Sequence, residues 1–305
     1  MPATEDSRYL LGMMRLLRGF YRPEEPEQAN YPPVDIEAAL ALWEGLEERT
    51  EMGLPLSRAL LRLMKDLSSP VQVMAIAQKS LTFSRNHHDL SGVAIALTSL
   101  AVIHFEALGE FSQALPLLEE ALEIDRQIGF DLNARWSEGI LGSIAYLQGE
   151  YEVARAHMES RVAHCYVGGI FIRLDMALFA LGNVTLELGD NASARAHFDE
   201  SIRVASSLQR QFCVAMSQAG LGILAAVQGD ISTAAAHYEA SHADFQHGGK
   251  EAPNYKHDME SFGLLALLLG HHQQALAYYE AVLSHYAASG YRVPLMCLIA
   301  VRVMR

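Results

Sequence analysis

The 305-residue sequence predicts an all-α solenoid built from helix–turn–helix repeats. Three observations carry that prediction. Gly109, Gly149, Gly189, Gly229 and Gly270 recur at spacings of 40, 40, 40 and 41 residues. An alanine stands five residues after each of them: Ala114, Ala154, Ala194, Ala234 and Ala275. Leu141-Gly142, Leu181-Gly182, Leu221-Gly222 and Phe262-Gly263 precede four of the glycines by seven or eight residues. Self-similarity at a fixed period of about 20–50 residues is the signature of a stacked repeat.

The chain before the repeats reads as a capping region over residues 1–69. Residues 7–21 form an amphipathic helix with Leu10, Leu11, Met14 and Leu17 on its apolar face and Arg8, Arg15 and Arg18 elsewhere. Its charges interrupt the apolar run, unlike a signal peptide. The prolines between Pro23 and Pro33 resist helix and mark a linker. Asp35 caps a helix over 36–50, and Pro55 opens another that runs to Leu67. Residues 24–51 hold nine acids and one base, the composition of a solvated face and linker, or of an acidic docking surface.

Ser69-Pro70 then starts a helix ending in Ser84-Arg85-Asn86, which imitates Asp125-Arg126-Gln127 and so closes a degenerate repeat at about 70–88. Full repeats follow at about 89–129, 130–169, 170–209, 210–250 and 251–290. In each, the marker glycine ends helix A by entering the left-handed region. Glu110, Glu150, Asp190 and Asp230 come next, where a helix start favours negative charge, although His271 stands in the last copy. The alanine marks the crossing of helices A and B. Leu118, Met158, Phe198, Tyr238 and Tyr279 lie one turn further along the same face. A final helix over 293–305, apolar nearly all round, predicts a homodimer contact, a longer repeat array, or a segment folded back on its own repeat.

These residues resemble the tetratricopeptide repeat over about 70–305. The match is plain in Leu181-Gly182, Gly189, Ala194 and Phe198. Two features differ: the period is 40 rather than about 34 residues, and Glu138, Leu178, Gln218 and Met259 stand where an early Trp is expected. Repeats of this longer type are similar to those in the sensor regions of large bacterial ATP-dependent transcription activators, and residues 114–122 (ALPLLEEAL) are typical of that group.

The resemblance implies a right-handed superhelix with helix A on its concave wall. It carries Trp136, Gly139, Ser143 and Tyr146 into the groove, then Met176, Phe179, Asn183 and Leu186. Met216, Ala219, Ile223 and Ala226 follow, and His257, Glu260, Leu264 and Leu267 complete the wall. Of the Lys and Asn that clamp a peptide carboxylate in chaperone-binding relatives, only Asn183 has a counterpart. An apolar groove suits an amphipathic helix, an apolar peptide or a small ligand. The alternative is a tighter superhelix in which many of these residues are core.

Chemistry points the same way. A net charge of −13 opposes a nucleic-acid surface. Cys165, Cys213 and Cys297 form no disulfide framework and suit a cytoplasmic protein. The uncharged run Gln211 to Gly229 is in phase with the repeats and reads as a buried helix rather than a membrane span. His157, His197 and His237 share one repeat position, but helices about 8–10 Å apart cannot present them to one metal. The adjacent pairs His87-His88 and His271-His272 lie at turns, and a metal alternative would rest on His271 or His272. The sequence lacks a phosphate-binding Gly-x-x-x-x-Gly-Lys loop and a Gly-x-Ser-x-Gly elbow. The expectation is therefore a non-enzymatic scaffold or sensor, with no cofactor, metal or catalytic residue, holding a protein segment. A small-ligand-sensing module of a transcription-activator system is the alternative, and an enzyme housed inside the solenoid is the second.

Overall fold

The computed structural model describes residues 70–167, 173–248 and 260–289. The expected capping region 1–69 with its acidic stretch, the groove residue His257, Cys297, and the expected helix 293–305 lie outside the described residues.

Those residues form α1 (Pro70–Asn86), α2 (Leu90–Val102) continued by a π-turn (Ile103–Leu108), α3 (Phe111–Ile128), α4 (Asp131–Leu147), α5 (Tyr151–Val167) and α6 (Leu174–Glu187). Then come α7 (Asn191–Ser207), α8 (Gln211–Val227), α9 (Ile231–Gly248), α10 (Glu260–Leu268) and α11 (His272–Ser289). Among the described residues there is no strand. The even-numbered helices are the A helices and the odd-numbered ones from α3 onward are their B partners. The fold is an all-α repeat solenoid, with α1 in the position of a B helix.

The marker glycines make the turns. Gly109 has φ 64°, and Gly149, Gly189, Gly229 and Gly270 lie between 78° and 80°, a conformation that costs a glycine little and a side-chain-bearing residue much. The next residue then donates its N–H back into helix A: Glu150 to the Ala145 carbonyl at 2.9 Å, Asp190 to Thr185 at 2.9 Å, Asp230 to Ala225 at 3.0 Å, and His271 to Ala266 at 2.8 Å. In the first full repeat Glu110 donates one residue further back, to His104 at 2.7 Å. The π-turn absorbs that extra residue. This explains why Gly109 lacks a Leu-Gly pair: Leu100-Ala101, eight residues upstream, takes its place, with Ala101 fully enclosed.

The acids after the glycines are caps rather than first-turn residues. Asp190 accepts the Ser193 N–H at 3.1 Å. Asp230 accepts the Thr233 N–H at 3.0 Å and the hydroxyls of Ser232 and Thr233 at 2.8 and 2.6 Å. Such caps satisfy amides that a helix start leaves open. Glu110 instead turns to His104, 2.8 Å away.

Packing follows the repeat. Ala114, Ala154, Ala194, Ala234 and Ala275 are fully enclosed where A and B cross. The glycine of each Leu-Gly pair receives a large residue: a Cβ on Gly142 would meet the Met158 side chain at 2.8 Å, on Gly182 the Phe198 ring at 2.6 Å, and on Gly263 the Tyr279 ring at 2.9 Å. Gly222 departs from this, being filled by Leu265 of the next repeat. Successive A helices touch at α2–α4, α6–α8 and α8–α10, while successive B helices make no comparable contact. The A helices therefore form the inner layer of the array. One described helix, Leu90–Leu108, is long and apolar enough to cross a membrane (mean hydropathy 1.6), and two-thirds of it is buried in the solenoid.

Candidate binding face

An inner helix has one strip facing its B partner, flanks against neighbouring repeats, and a strip left open. The positions of Gly139, Phe179 and Ala219 face the partner. Arg161 lies on Gly139, Phe179 packs with its ring centroid 6.0 Å from that of Phe198, and Ala219 is fully enclosed. Phe179 is thus a core residue rather than a groove residue. Met216 and Ile223, also expected in the groove, are enclosed as well, because α8 and α10 close together around Phe212 and Phe262, whose centroids are 6.5 Å apart.

The open strip runs through the other expected positions. Trp136, Ser143, Met176 and Asn183 are half-buried, with Trp136 and Ser143, and likewise Met176 and Asn183, two turns apart on one face. The Ser143 hydroxyl donates to the Gly139 carbonyl at 2.8 Å. Met176 receives the Cys213 thiol at 3.5 Å. Tyr146 sits at the edge of the strip and donates to Glu187 at 3.2 Å, tying two repeats together. Glu260 begins α10.

Sequence reasoning missed the most exposed part. Two residues before the last four marker glycines the inner helices end in Leu147, Glu187, Val227 and Leu268, whereas Ala107, before Gly109, is buried. Leu147 is 60% exposed, Val227 65% and Leu268 46%, and Leu264, which was expected in the groove, is 40% exposed one turn before Leu268. The signal was present as a second apolar position in phase with the glycines. It was hidden by a register borrowed from the Leu-Gly pair.

The position of the expected early Trp has become polar. Glu138 lies 2.6 Å from His157 Nδ1 and accepts the Ser160 hydroxyl at 3.1 Å. Gln218 lies 2.7 Å from His237 Nδ1. The histidine ladder is therefore matched to polar residues on the A helices, except where Leu178 stands opposite His197. Burial holds the pKa values of His197 and His237 below the ordinary histidine value. Among the described residues no three His, Cys, Asp or Glu side chains converge as metal ligands would. A shallow depression of about 450 Å³ lies at the start of α2, bounded by Arg85, His88, Leu90, Val93, Glu120 and Ile124.

Residues 92–165 match the tetratricopeptide repeat family model. A search of curated protein sequences found no match. Among solved structures, the chain is similar to the apo form of RapI, with a TM-score of 0.66, 13% identity, and coverage of 92% of this chain and 98% of that one. It is also similar to a Rap protein complexed with Competence and Sporulation Factor (TM-score 0.55, 12% identity, 98% of each chain). A third similar structure is a signal transduction ATPase with a tetratricopeptide repeat sensor from Pyrococcus horikoshii, with a TM-score of 0.51, 12% identity, and 97% of this chain against 48% of that one. Residues 92–165 thus match the tetratricopeptide repeat, and the glycine turns in one phase carry the same helix–turn–helix architecture, shared with solved helical repeat solenoids, through the other described repeats.

Proposed function

We propose that the protein is a non-enzymatic interaction scaffold or sensor that holds an apolar, helical segment of a partner against its inner helices. The observation that carries this is the row Leu147, Glu187, Val227 and Leu268, three apolar residues left exposed at one repeat position on the inner layer. Adjacent helices lie about 8–10 Å apart. Residues seven apart on a partner helix are spaced by about 10 Å at 1.5 Å per residue. An amphipathic helix thus offers one apolar contact to each repeat, and a basic residue suits the place opposite Glu187. Trp136, Met176 and Asn183 border the same strip. The likeness to a Rap protein bound to a named factor supports partner binding, and a cytoplasmic setting suits it.

The test is a library of amphipathic helical peptides passed over the immobilised protein. Parent protein should retain peptides with apolar residues seven apart. Val227→Asp and Leu147→Asp should each weaken retention tenfold or more without changing the melting temperature, since both side chains are already exposed. Retention unaffected by both substitutions would refute the face assignment. The second reading, a small-ligand sensor, is favoured by the likeness to the sensor-bearing ATPase. Native mass spectrometry showing a bound small molecule and no peptide would select it.

A further inference from the structure

The exposed row changes chemistry in its middle. Leu147, Val227 and Leu268 are apolar, but Glu187 stands at the same repeat position on α6 and is exposed like them. The neighbouring positions follow the same division. One turn before the row, α4 offers Ser143 and α6 offers Asn183, both half-buried, whereas α10 offers the exposed Leu264 and α8 has Ile223 enclosed. The strip is therefore more polar over α4 and α6 and apolar over α8 and α10.

Glu187 is held in place from the preceding repeat. The Tyr146 hydroxyl of α4 donates to Glu187 Oε1 at 3.2 Å, and the Tyr146 ring lies against Tyr151 of α5, with centroids 5.6 Å apart. Among the described residues Glu187 makes no other hydrogen bond and no ion pair, so Oε2 is bonded to none of them. Helix packing does not call for an acid here, since an exposed side chain adds little to folding. A partner laid along the row would displace its water. An apolar residue against Glu187 would strip the carboxylate of solvent and return nothing. A guanidinium or ammonium group would return a charge-assisted hydrogen bond. Attraction of one class and rejection of the other together make specificity.

We propose that Glu187 is the specificity-determining residue of the strip and selects a partner helix with one Arg or Lys in its apolar stripe. The inference rests on the segment-binding reading above and fixes the order of side chains that fit. From α4 to α10 the row asks for an apolar residue, a base and then two apolar residues, at steps of about seven residues along the helix. That order differs when read from the other end. A single base therefore sets both the register and the direction of the segment.

The experiment measures fluorescence anisotropy of labelled helical peptides, built on alanine and glutamine, against the full chain. Two carry Leu, Arg, Leu and Leu at steps of about seven residues, in that order or its reverse. Two more carry Glu in place of Arg, and one carries Leu throughout. One of the two Arg peptides should bind the parent at least about tenfold more tightly than the Leu and Glu peptides, and added salt should narrow the difference. Glu187→Leu should make the Leu peptide the best binder, and Glu187→Lys should favour a Glu peptide. Both variants should melt like the parent, because the side chain is exposed. An Arg preference that survives Glu187→Leu, or its absence from the parent, would overturn the inference. If Val227→Asp still weakens binding in that case, the segment-binding reading stands without it. Equal affinity for the two Arg orders would also overturn it, because the base would then set no register. No binding of any peptide would overturn both this inference and the reading on which it rests.

Discussion

Phe198 is clamped between two glycines, and filling one of them tests how the repeats are spaced. A Cβ at Gly220 on α8 would lie 2.6 Å from Phe198 Cε1 and 2.7 Å from Cζ, and one at Gly182 on α6 would lie 2.6 Å from Cε1 and 2.7 Å from Cδ1. Carbon contacts are comfortable at about 3.5 Å, so Gly220→Ala asks the ring to retreat by about 0.9 Å. The retreat is blocked because Gly182 closes the other side and Phe198 is fully enclosed. Overpacking of this kind costs about 1–3 kcal/mol, while alanine in a helix interior returns about 1 kcal/mol over glycine. Gly220→Ala should therefore lose about 1 kcal/mol net. In a Phe198→Leu background the clash is gone and only the helix gain remains, so the same substitution should stabilise by about 0.5–1 kcal/mol. Urea denaturation of the four proteins of this cycle, followed by circular dichroism, measures the coupling. An effect of Gly220→Ala that agrees in both backgrounds to within about 0.3–0.5 kcal/mol, the additivity of independent sites, would refute the clamp.

Two other perturbations follow from buried groups. Asp125 is 1% exposed, its Oδ1 has no hydrogen bond, and burial pushes its pKa up to about 7 despite the Asn133 amide donating to Oδ2 at 2.9 Å. An acid raised in the folded state stabilises fully below the unfolded value of 3.8 and loses that stability as pH rises through about 7. Asp125→Asn should flatten the fall in melting temperature between about pH 4 and pH 7, and a fall parallel to the parent's would show that another group carries it. Phe179→Ala, at a core site 7% exposed, should cost about 3–5 kcal/mol in urea denaturation, and a loss below about 1 kcal/mol would return Phe179 to the open face.

The sequence alone determined the architecture, because five glycines in one phase need five equal turns and equal turns stack equal helices. The fully enclosed alanines, and Leu118, Met158, Phe198, Tyr238 and Tyr279 buried beside them, follow from that phase. Tertiary structure decided which strip of each inner helix stays open. Positions 136 and 139 differ by less than a turn, and only the packing of α5 and α7 on α4 and α6 turns Gly139 and Phe179 inward while Trp136 and Met176 keep an open edge. The π-turn was illegible because one extra residue in a helix leaves the apolar pattern nearly unchanged. The side chains between α4 and α5 were illegible for a different reason: Arg135 of α4 reaches Cys165 of α5, and Arg161 of α5 lies on Gly139 of α4. Periodicity reports what recurs from repeat to repeat, whereas a cluster confined to one junction is made by the stacking itself.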